Sequence, residues 1–206
     1  MMEHTLITIG RQFGSGGHEV GNRLAERLDI PLYDHNLLRM AARELGVSDE
    51  DVAKVDETML GRFLSGYVAG SGEYTAFMSG EEAGRPLSDR LFEAQSELIR
   101  RLAQRGPGIF VGRCADYIFR DHRNVLNYAP VDARYKNCVE VLKMKPEEAT
   151  KMIYKVDKAR TAYHKRYAKY APGDLDSKQI MIDSSMLGVK GTAEVLAEIV
   201  QRRFGL

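Results

Sequence analysis

Short β-branched runs alternate with amphipathic stretches along most of the chain. The apolar runs predict strands at residues 5–9, 109–111, 125–129 and 180–182, with a short extended piece at 32–33. The stretches between them predict helices over residues 18–28, 36–45, 91–105, 132–142, 146–167 and 192–204. Ser48, with Asp51, predicts the capped start of another helix, and Ser88 is the predicted cap of the helix over 91–105. Strands separated by helices predict an α/β fold, with a parallel sheet covered by helices on both faces.

Composition and length place the chain among single-domain globular proteins. It has 206 residues, 44% of them hydrophobic and 29% charged, and a formal net charge of +1. This balance gives no global electrostatic reason to expect nucleic acid or an anionic membrane as a partner. Two cysteines without metal-ligand spacing and the lack of a long apolar run predict a reduced, cytoplasmic protein, and the sequence leaves a homo-oligomer open. Residues 60–86 have weak periodicity and many glycines, and predict a mobile connection or insertion.

A glycine-rich turn follows the first strand and leads directly into a helix. Its residues are Arg11, Gln12, Phe13, Gly14, Ser15, Gly16, Gly17 and His18. Glycines let backbone N–H groups turn inward, and the helix N-terminus adds partial positive charge, so the segment predicts a phosphate site. The Walker pattern would place Lys and a hydroxyl residue after Gly16. Gly17 and His18 stand there instead.

Polar side chains recur where the predicted strands end, which is where ligands bind in parallel α/β sheets. Arg11 is the natural candidate for the missing loop cation, although spacing alone also allows it to face solvent. Asp34 follows the second extended piece and is a candidate for ligand binding, for helix capping, or for both. Arg113 directly follows a buried strand and is expected to face the ligand crevice. Ser184, in the polar segment after the last strand, falls at the same edge.

Residues 154–170 combine six lysines and arginines with tyrosines at 154, 163, 167 and 170. A basic helix above a phosphate site could close as a lid, exclude water and neutralise the charge that develops in phosphoryl transfer. The alternatives are a solvated amphipathic helix and a surface that stacks single-stranded RNA. The near-zero net charge argues against RNA.

Five segments, in the same order, resemble the cytidylate kinase-like group of P-loop kinases. They are I-x-R-Q-[FY]-G-S-G-G at 9–17, P-[LF]-Y-D at 31–34, V-G-R-C-A-x-Y-I at 111–118, D-K-A-R-x-x-Y at 157–163 and the strand end at 183–185. That group itself has the altered loop. The resemblance implies a P-loop NTPase three-layer sandwich with an acceptor-binding helical region at about 34–88 and a lid at about 145–172.

The same resemblance implies roles for individual residues in an ATP-dependent kinase that acts on a cytidylate-like nucleoside monophosphate. Residues 11–18 would cradle the ATP phosphates, with Mg²⁺ bridging their oxygens. Arg11, Arg113 and Arg160 are the expected catalytic cations. The expected acceptor-binding residues are Asp34, Arg113, Lys158, Arg160 and Tyr163, and Arg134 is a further candidate.

Two other functions compete with a kinase on the sequence alone. A non-catalytic nucleotide- or anion-binding protein would use the same loop without turnover. A dinucleotide-binding oxidoreductase is suggested by Gly14 and Gly16 after a strand, with Asp34 about twenty residues after Gly14. The third glycine of that fingerprint would fall at position 19, which is Glu19.

Overall fold

The computed structural model describes residues 5–34, 36–48, 50–51, 86–120 and 123–204. Within them the chain forms one sheet, whose strands are β1 (Leu6–Arg11), β2 (Leu32–Tyr33), β3 (Gly108–Val111), β4 (Arg123–Tyr128) and β5 (Ile180–Asp183). The helices are α1 (Gly17–Leu28), α2 (Asn36–Glu44), α3 (Leu87–Arg105), α4 (Ala115–Ile118), α5 (Val131–Glu140), α6 (Pro146–Ala168) and α7 (Ser184–Phe204). A 3-10 turn, Leu175–Ser177, precedes β5. No helix in these ranges is long and apolar enough to cross a membrane.

The strand order is β2-β3-β1-β4-β5, and every pair is parallel. Side chains that alternate along β1 enter two separate cores. Ile7 and Ile9 pack with α1 and α7, whereas Leu6 packs with α2, α3 and α4. Each fully buried aliphatic side chain contributes about 1.5–3 kcal/mol. The predicted α/β sandwich, with helices on both faces of a parallel sheet, is confirmed.

Several element boundaries differ from the sequence prediction. β1 continues two residues beyond Ile9 because its pairing with β4 extends to Arg11 opposite Asn127. Arg11 is therefore the last strand residue and not a loop residue. α3 begins at Leu87 with Pro86 at the cap position, so the predicted Ser88 cap is wrong.

Two further predictions concern the helix that closes the chain and the segment at Ser48. α7 starts eight residues earlier than predicted, at Ser184, and changes direction at Gly188, where φ is 66°. Ser48 accepts a hydrogen bond from the Asp51 backbone N–H at 3.1 Å, as its predicted capping role requires. Residues 52–85, which include most of the predicted acceptor region and insertion, lie outside the described residues.

α5 and α6 form a small subassembly against the glycine-rich turn. Cys138 of α5 packs with Ala149 and Ile153 of α6, and Phe13 joins this cluster. Pro146 occupies the first turn of α6, where its missing N–H costs no hydrogen bond. The subassembly brings the basic helix to the carboxyl edge of the sheet.

Candidate functional site

The turn between β1 and α1 is shaped by glycines with positive φ. Gly14 has φ 78° and Gly16 has φ 74°, a region that side chains disfavour. Space restricts the same positions, because a Cβ on Gly14 would lie 2.9 Å from Cys138 Sγ and one on Gly16 would lie 2.8 Å from Val189 Cγ2. The predicted tight turn is thus present, and two independent constraints select glycine.

The start of α1 has the properties of an anion site. Gly16 is its N-cap and provides no side-chain hydrogen bond to the first turn. The first N–H groups of a helix have no intrahelical acceptor, and they carry the positive end of the helix dipole. Glu19 in the first turn pairs with Arg23 on the surface at 3.2 Å. The turn therefore offers backbone donors to an anion such as a phosphate.

A buried network of hydrogen bonds holds the backbone of the turn in place. Asn127 Nδ2 donates to the Ser15 carbonyl at 3.0 Å and to Ser15 Oγ at 2.8 Å. Ser184 Oγ donates to the same carbonyl at 2.7 Å. Ser15 Oγ itself donates to the Gln12 carbonyl at 2.9 Å. Ser15 and Ser184, expected to face a ligand, have hydroxyls that hold the turn's own backbone.

Arg11 occupies the space that a side chain at position 17 would need. A Cβ on Gly17 would lie 2.6 Å from Arg11 Cβ, and one on Gly112 would lie 1.8 Å from Arg11 Nη1. The guanidinium therefore runs across the backbone of Gly112, which follows β3. Burial, together with the charges of Arg160 and Arg113, lowers the pKa of Arg11 well below its ordinary value. The Arg11 side chain therefore points into the site.

Arg113 lies on a strained turn at the end of β3. Gly112, Arg113 and Cys114 have consecutive positive φ values of 74°, 57° and 53°. Non-glycine residues with such angles cost free energy and cluster at functional sites. The turn is held in part by Gln95, whose Nε2 donates to the Arg113 carbonyl at 3.3 Å. Arg113 is buried, at 9% exposure.

Cys114 is an unreactive thiol in this setting. It is buried, and desolvation raises the pKa of its thiol well above the ordinary value. A thiol with a raised pKa carries little thiolate at neutral pH. Cys114 therefore contributes packing and not nucleophilic chemistry.

Arg160 brings the basic helix α6 to the same place. Its Nη1 donates to the Arg11 carbonyl at 3.1 Å, and burial lowers the pKa of Arg160 to about 10. Arg11, Arg113 and Arg160 together line a pocket of about 80 Å³. The sequence predicted these three guanidinium groups as catalytic candidates, and the fold brings them to one cavity.

Asp157, the first residue of the D-K-A-R-x-x-Y segment, joins α6 to the turn. Its Oδ1 accepts the Phe13 backbone N–H at 2.8 Å, and its Oδ2 accepts a short hydrogen bond from Arg134. Arg134 also donates to the Phe13 carbonyl at 3.3 Å, and Asn137 donates to the Gly14 carbonyl at 2.9 Å. Arg134, a candidate substrate residue, thus holds the turn and its carboxylate partner.

Asp34 and His18 lie on the other side of the turn. Asp34 accepts the Asn36 backbone N–H at 3.2 Å, which is a capping contact, and its charge acts on Arg11. His18 is half exposed, with Nδ1 3.7 Å from Asp34 Oδ2. Both roles expected for Asp34, capping and a position at the site, therefore fit its location.

Lys158 and Tyr163 have different positions, although both lie on α6. Lys158 is exposed, whereas Tyr163 lines the pocket. Tyr163 packs edge-on against Tyr167, and Tyr167 stacks on Phe92 of α3 at 4.0 Å. The rings of Tyr163 and Tyr167 are therefore engaged within the protein, whereas Tyr154 on the same helix is 60% exposed.

The oxygen ligands that Mg²⁺ prefers are sparse around the turn. Within the described ranges, no three His, Cys, Asp or Glu side chains form a group that could hold a metal ion. Mg²⁺ in kinases is held by one or two carboxylates together with substrate phosphates. Asp34 is a carboxylate close to the start of α1, where its Oδ2 lies 3.7 Å from His18 Nδ1, and it could serve as a single carboxylate ligand of this kind.

The site also contains residues that carry no local sequence signal. Asp116, His164 and Lys178 meet in a buried cluster at the wall of the pocket. Along the chain, His164 lies 48 residues and Lys178 lies 62 residues from Asp116, so spacing in the sequence could not reveal this cluster. Asn127, at the end of β4, was likewise missed, although a polar residue at a strand end is the kind of signal that could have revealed it.

Solved structures with the same fold support the architecture. An uncharacterized protein from Eubacterium ventriosum ATCC 27560 matches with TM-score 0.68 and 26% identity, over 96% of this chain and 98% of that one. Shikimate kinase from Acinetobacter baumannii, in complex with shikimate, matches with TM-score 0.52 and 14% identity, over 98% of this chain and 95% of that one. A gluconokinase from Sinorhizobium meliloti 1021 matches with TM-score 0.52 and 12% identity, over 98% of this chain and 96% of that one.

Sequence comparison gives the family. Comparison with curated proteins gives no match. The sequence model of the cytidylate kinase-like family matches residues 6–186, which include the glycine-rich turn, the Arg113 turn and α6. This family and the P-loop kinase fold indicate a phosphotransferase of the small-molecule kinase type and disfavour a dinucleotide-binding oxidoreductase. The chain therefore belongs to the cytidylate kinase-like family.

Proposed function

We propose that this protein transfers the γ-phosphoryl group of ATP to the phosphate of a nucleoside monophosphate of the cytidylate type. The observation that carries the proposal is the convergence of Arg11, Arg113 and Arg160, from β1, the β3 turn and α6, on one pocket. Arg11 is the residue that directly precedes the glycine-rich turn. Phosphoryl transfer requires mainly positioning and neutralisation of oxygen charge. Three guanidinium groups supply that charge at fixed positions.

Each element of the site has a part in this reaction. The turn residues Arg11 to His18 hold the donor phosphates, with the N–H groups of the first turn of α1 as donors. Mg²⁺, when bound, neutralises donor oxygens, and Asp34 is the carboxylate that would hold it. Arg113 and Arg160 orient the acceptor phosphate for attack on the γ-phosphorus. As the new P–O bond forms, the bond to the β–γ bridging oxygen breaks and ADP leaves.

The arrangement compensates for the missing lysine at position 17. The Arg11 Cβ fills the space next to Gly17, and its guanidinium, which lies over Gly112, would supply the cation that the turn lacks. Arginine donates bidentately to phosphate oxygens, whereas lysine acts as a point charge. Tyr163 lines the pocket and would contact the acceptor, whereas Lys158 is exposed and would reach a substrate only if α6 closed over it.

The test is release of ADP with ATP and Mg²⁺ over a panel of nucleoside monophosphates, shikimate and gluconate. We expect turnover with a pyrimidine monophosphate, and a loss of about 10²-fold or more in kcat/KM for Arg113→Ala and for Arg160→Ala. Arg100→Ala, on an exposed part of α3, is the matched control.

The other outcomes of this test have distinct meanings. ATP binding without turnover on any acceptor would establish the non-catalytic alternative. Turnover on shikimate or gluconate only would overturn the nucleotide acceptor. Unchanged transfer in both arginine variants would overturn the assignment of the guanidinium groups.

A further inference from the structure

Lys178 is a buried cation at the wall of the pocket. Its side chain is 1% exposed and lines the cavity together with the three arginines. The ammonium donates to Asp116 Oδ2 at 2.6 Å and to Ser177 Oγ at 2.8 Å. An ammonium group has three N–H donors. One donor therefore remains for a ligand in the cavity.

The carboxylate that holds Lys178 is itself shared with a second donor. His164 Nε2 lies 2.9 Å from Asp116 Oδ2, and the Tyr170 hydroxyl donates to that oxygen at 3.3 Å. His164 Nδ1 lies 2.9 Å from the Tyr170 carbonyl. Each ring nitrogen of His164 thus lies within hydrogen-bond distance of an oxygen atom. Asp116 Oδ2 is therefore shared among Lys178, His164 and Tyr170 and is not an exclusive partner of Lys178.

Among the described residues that line the pocket, cations outnumber carboxylates. Its lining contains the cations Arg11, Arg113, Arg160 and Lys178, and one carboxylate, Asp116. Asp34 and Asp157 act on Arg11 and Arg160 from nearby, but Asp157 is paired with Arg134.

A buried polar atom of the arginines also lacks a partner. Among the described residues, Arg160 Nε is buried without a hydrogen-bond partner. Buried charges and buried donors without partners both cost free energy. A bound anion would satisfy this donor and the charge excess at once.

We propose that Lys178 is a further binding residue of this pocket and donates its remaining N–H to an oxygen of a phosphate-class oxyanion. Asp116 is its positioning residue, fixed by His164 and Tyr170. A cavity of about 80 Å³ has room for several water-sized groups, and so for a phosphate group. We take the occupant to be the phosphate group of the acceptor, and this identification of the occupant rests on the proposed function.

The test is calorimetric titration of the full chain with inorganic phosphate and with cytidine monophosphate, at constant ionic strength. Lys178→Met keeps the length of the side chain and removes the charge, and we expect affinity for both ligands to fall about tenfold or more. Asp116→Asn removes the competing carboxylate, and we expect phosphate to bind more tightly than in the wild type. Lys165→Met, an exposed lysine of α6, is the control and should change neither affinity.

We expect Lys178→Met to weaken phosphate binding and Asp116→Asn to strengthen it, so the two variants together distinguish a binding role from a purely structural one. A structural role alone would weaken anion binding in both Lys178→Met and Asp116→Asn, and that result overturns the proposal, as does unchanged phosphate affinity in Lys178→Met. If Lys178→Met does not fold, Lys178→Arg, which keeps the charge, must retain phosphate affinity while Asp116→Asn raises it. Otherwise the proposal fails.

Failure of this proposal is distinguishable from failure of the proposed function. Lys178-dependent binding of phosphate without transfer to any nucleotide contradicts only the reaction. Transfer to a nucleotide with unchanged binding in Lys178→Met contradicts only the role of Lys178.

Discussion

At the scale of single residues, the side chains at positions 11 and 17 compete for one space. Arg11 Cβ would lie 2.6 Å from a Cβ at position 17, a distance that real Cβ contacts essentially never show. Asn127 confines the same position from the side, because its Nδ2 would lie 3.1 Å away. An arginine at 11 therefore requires glycine at 17 unless the backbone shifts.

This competition predicts the result of restoring a lysine in the turn. Gly17→Lys should reduce the free energy of unfolding by about 1–3 kcal/mol, the typical cost of overpacking. The double variant Arg11→Gly/Gly17→Lys should recover most of that loss and bind ATP more tightly than Arg11→Gly alone. Urea unfolding and ATP titration measure both quantities. A Gly17→Lys protein as stable as the wild type would contradict this reading of the turn.

At the scale of elements, α6 is fastened to the glycine-rich turn at two points one helical turn apart. Asp157 accepts the Phe13 N–H at 2.8 Å, and Arg160 donates to the Arg11 carbonyl at 3.1 Å. The backbone of the turn and the predicted lid helix α6 are consequently connected by direct hydrogen bonds. A movement of α6 must change the hydrogen bonds of the residues proposed to hold the donor phosphates.

Asp157 provides a graded test of this connection. Asp157→Ala leaves the buried guanidinium of Arg134 without its carboxylate, and we expect a loss of about 1–3 kcal/mol in unfolding free energy, reduced from the fully buried case because Asp157 is half-buried. Asp157→Asn keeps an acceptor for Phe13 and should cost less. ATP affinity should fall in the same order.

The control for this series is Glu19→Gln, which removes an exposed ion pair with Arg23 and should change stability by less than about 0.5 kcal/mol. Equal losses in Asp157→Asn and Asp157→Ala would show that charge alone, and not the hydrogen bond to the turn, sets the effect.

At the scale of the whole molecule, the Asp116 cluster ties together segments that are far apart in the chain. Asp116 of α4 contacts His164 of α6, Tyr170 after it, and Lys178 before β5. Burial alone would raise the pKa of Asp116. The hydrogen bond and charge of His164, with those of Lys178, outweigh burial and lower the pKa to about 2 from an ordinary value of 3.8.

The lowered pKa predicts an acid-sensitive contribution to stability. Because the folded-state pKa lies below the unfolded one, the contribution is complete above about pH 4 and is lost as the pH falls towards 2. Its size is about 2 kcal/mol, at 1.36 kcal/mol for each pKa unit. Urea unfolding between pH 5 and pH 2 measures it. Asp116→Asn should flatten this part of the pH profile, and a profile with the wild-type slope would contradict the prediction.

Much of the fold was predictable because its signals are local. The apolar run through Ile7 and Ile9 gave β1, and Pro146 gave the start of α6. Element ends that depend on pairing were not predictable. Arg11 belongs to β1 only because Asn127, 116 positions away in the chain, pairs with it across the sheet. Ser88 fails as a cap because the cap position of α3 lies two residues earlier, at Pro86.

The sequence by itself determined the parallel α/β sheet, the turn that needs glycine at positions 14 and 16, and three arginines at strand ends and on a basic helix, because each depends on backbone preference or short-range periodicity. Only the tertiary structure decided which partners those residues meet. Asp157 lies 144 residues from Phe13, and Asp116 lies 62 residues from Lys178. Hydrogen bonds and charges act through space, so a cavity made by distant segments has no local pattern in the chain.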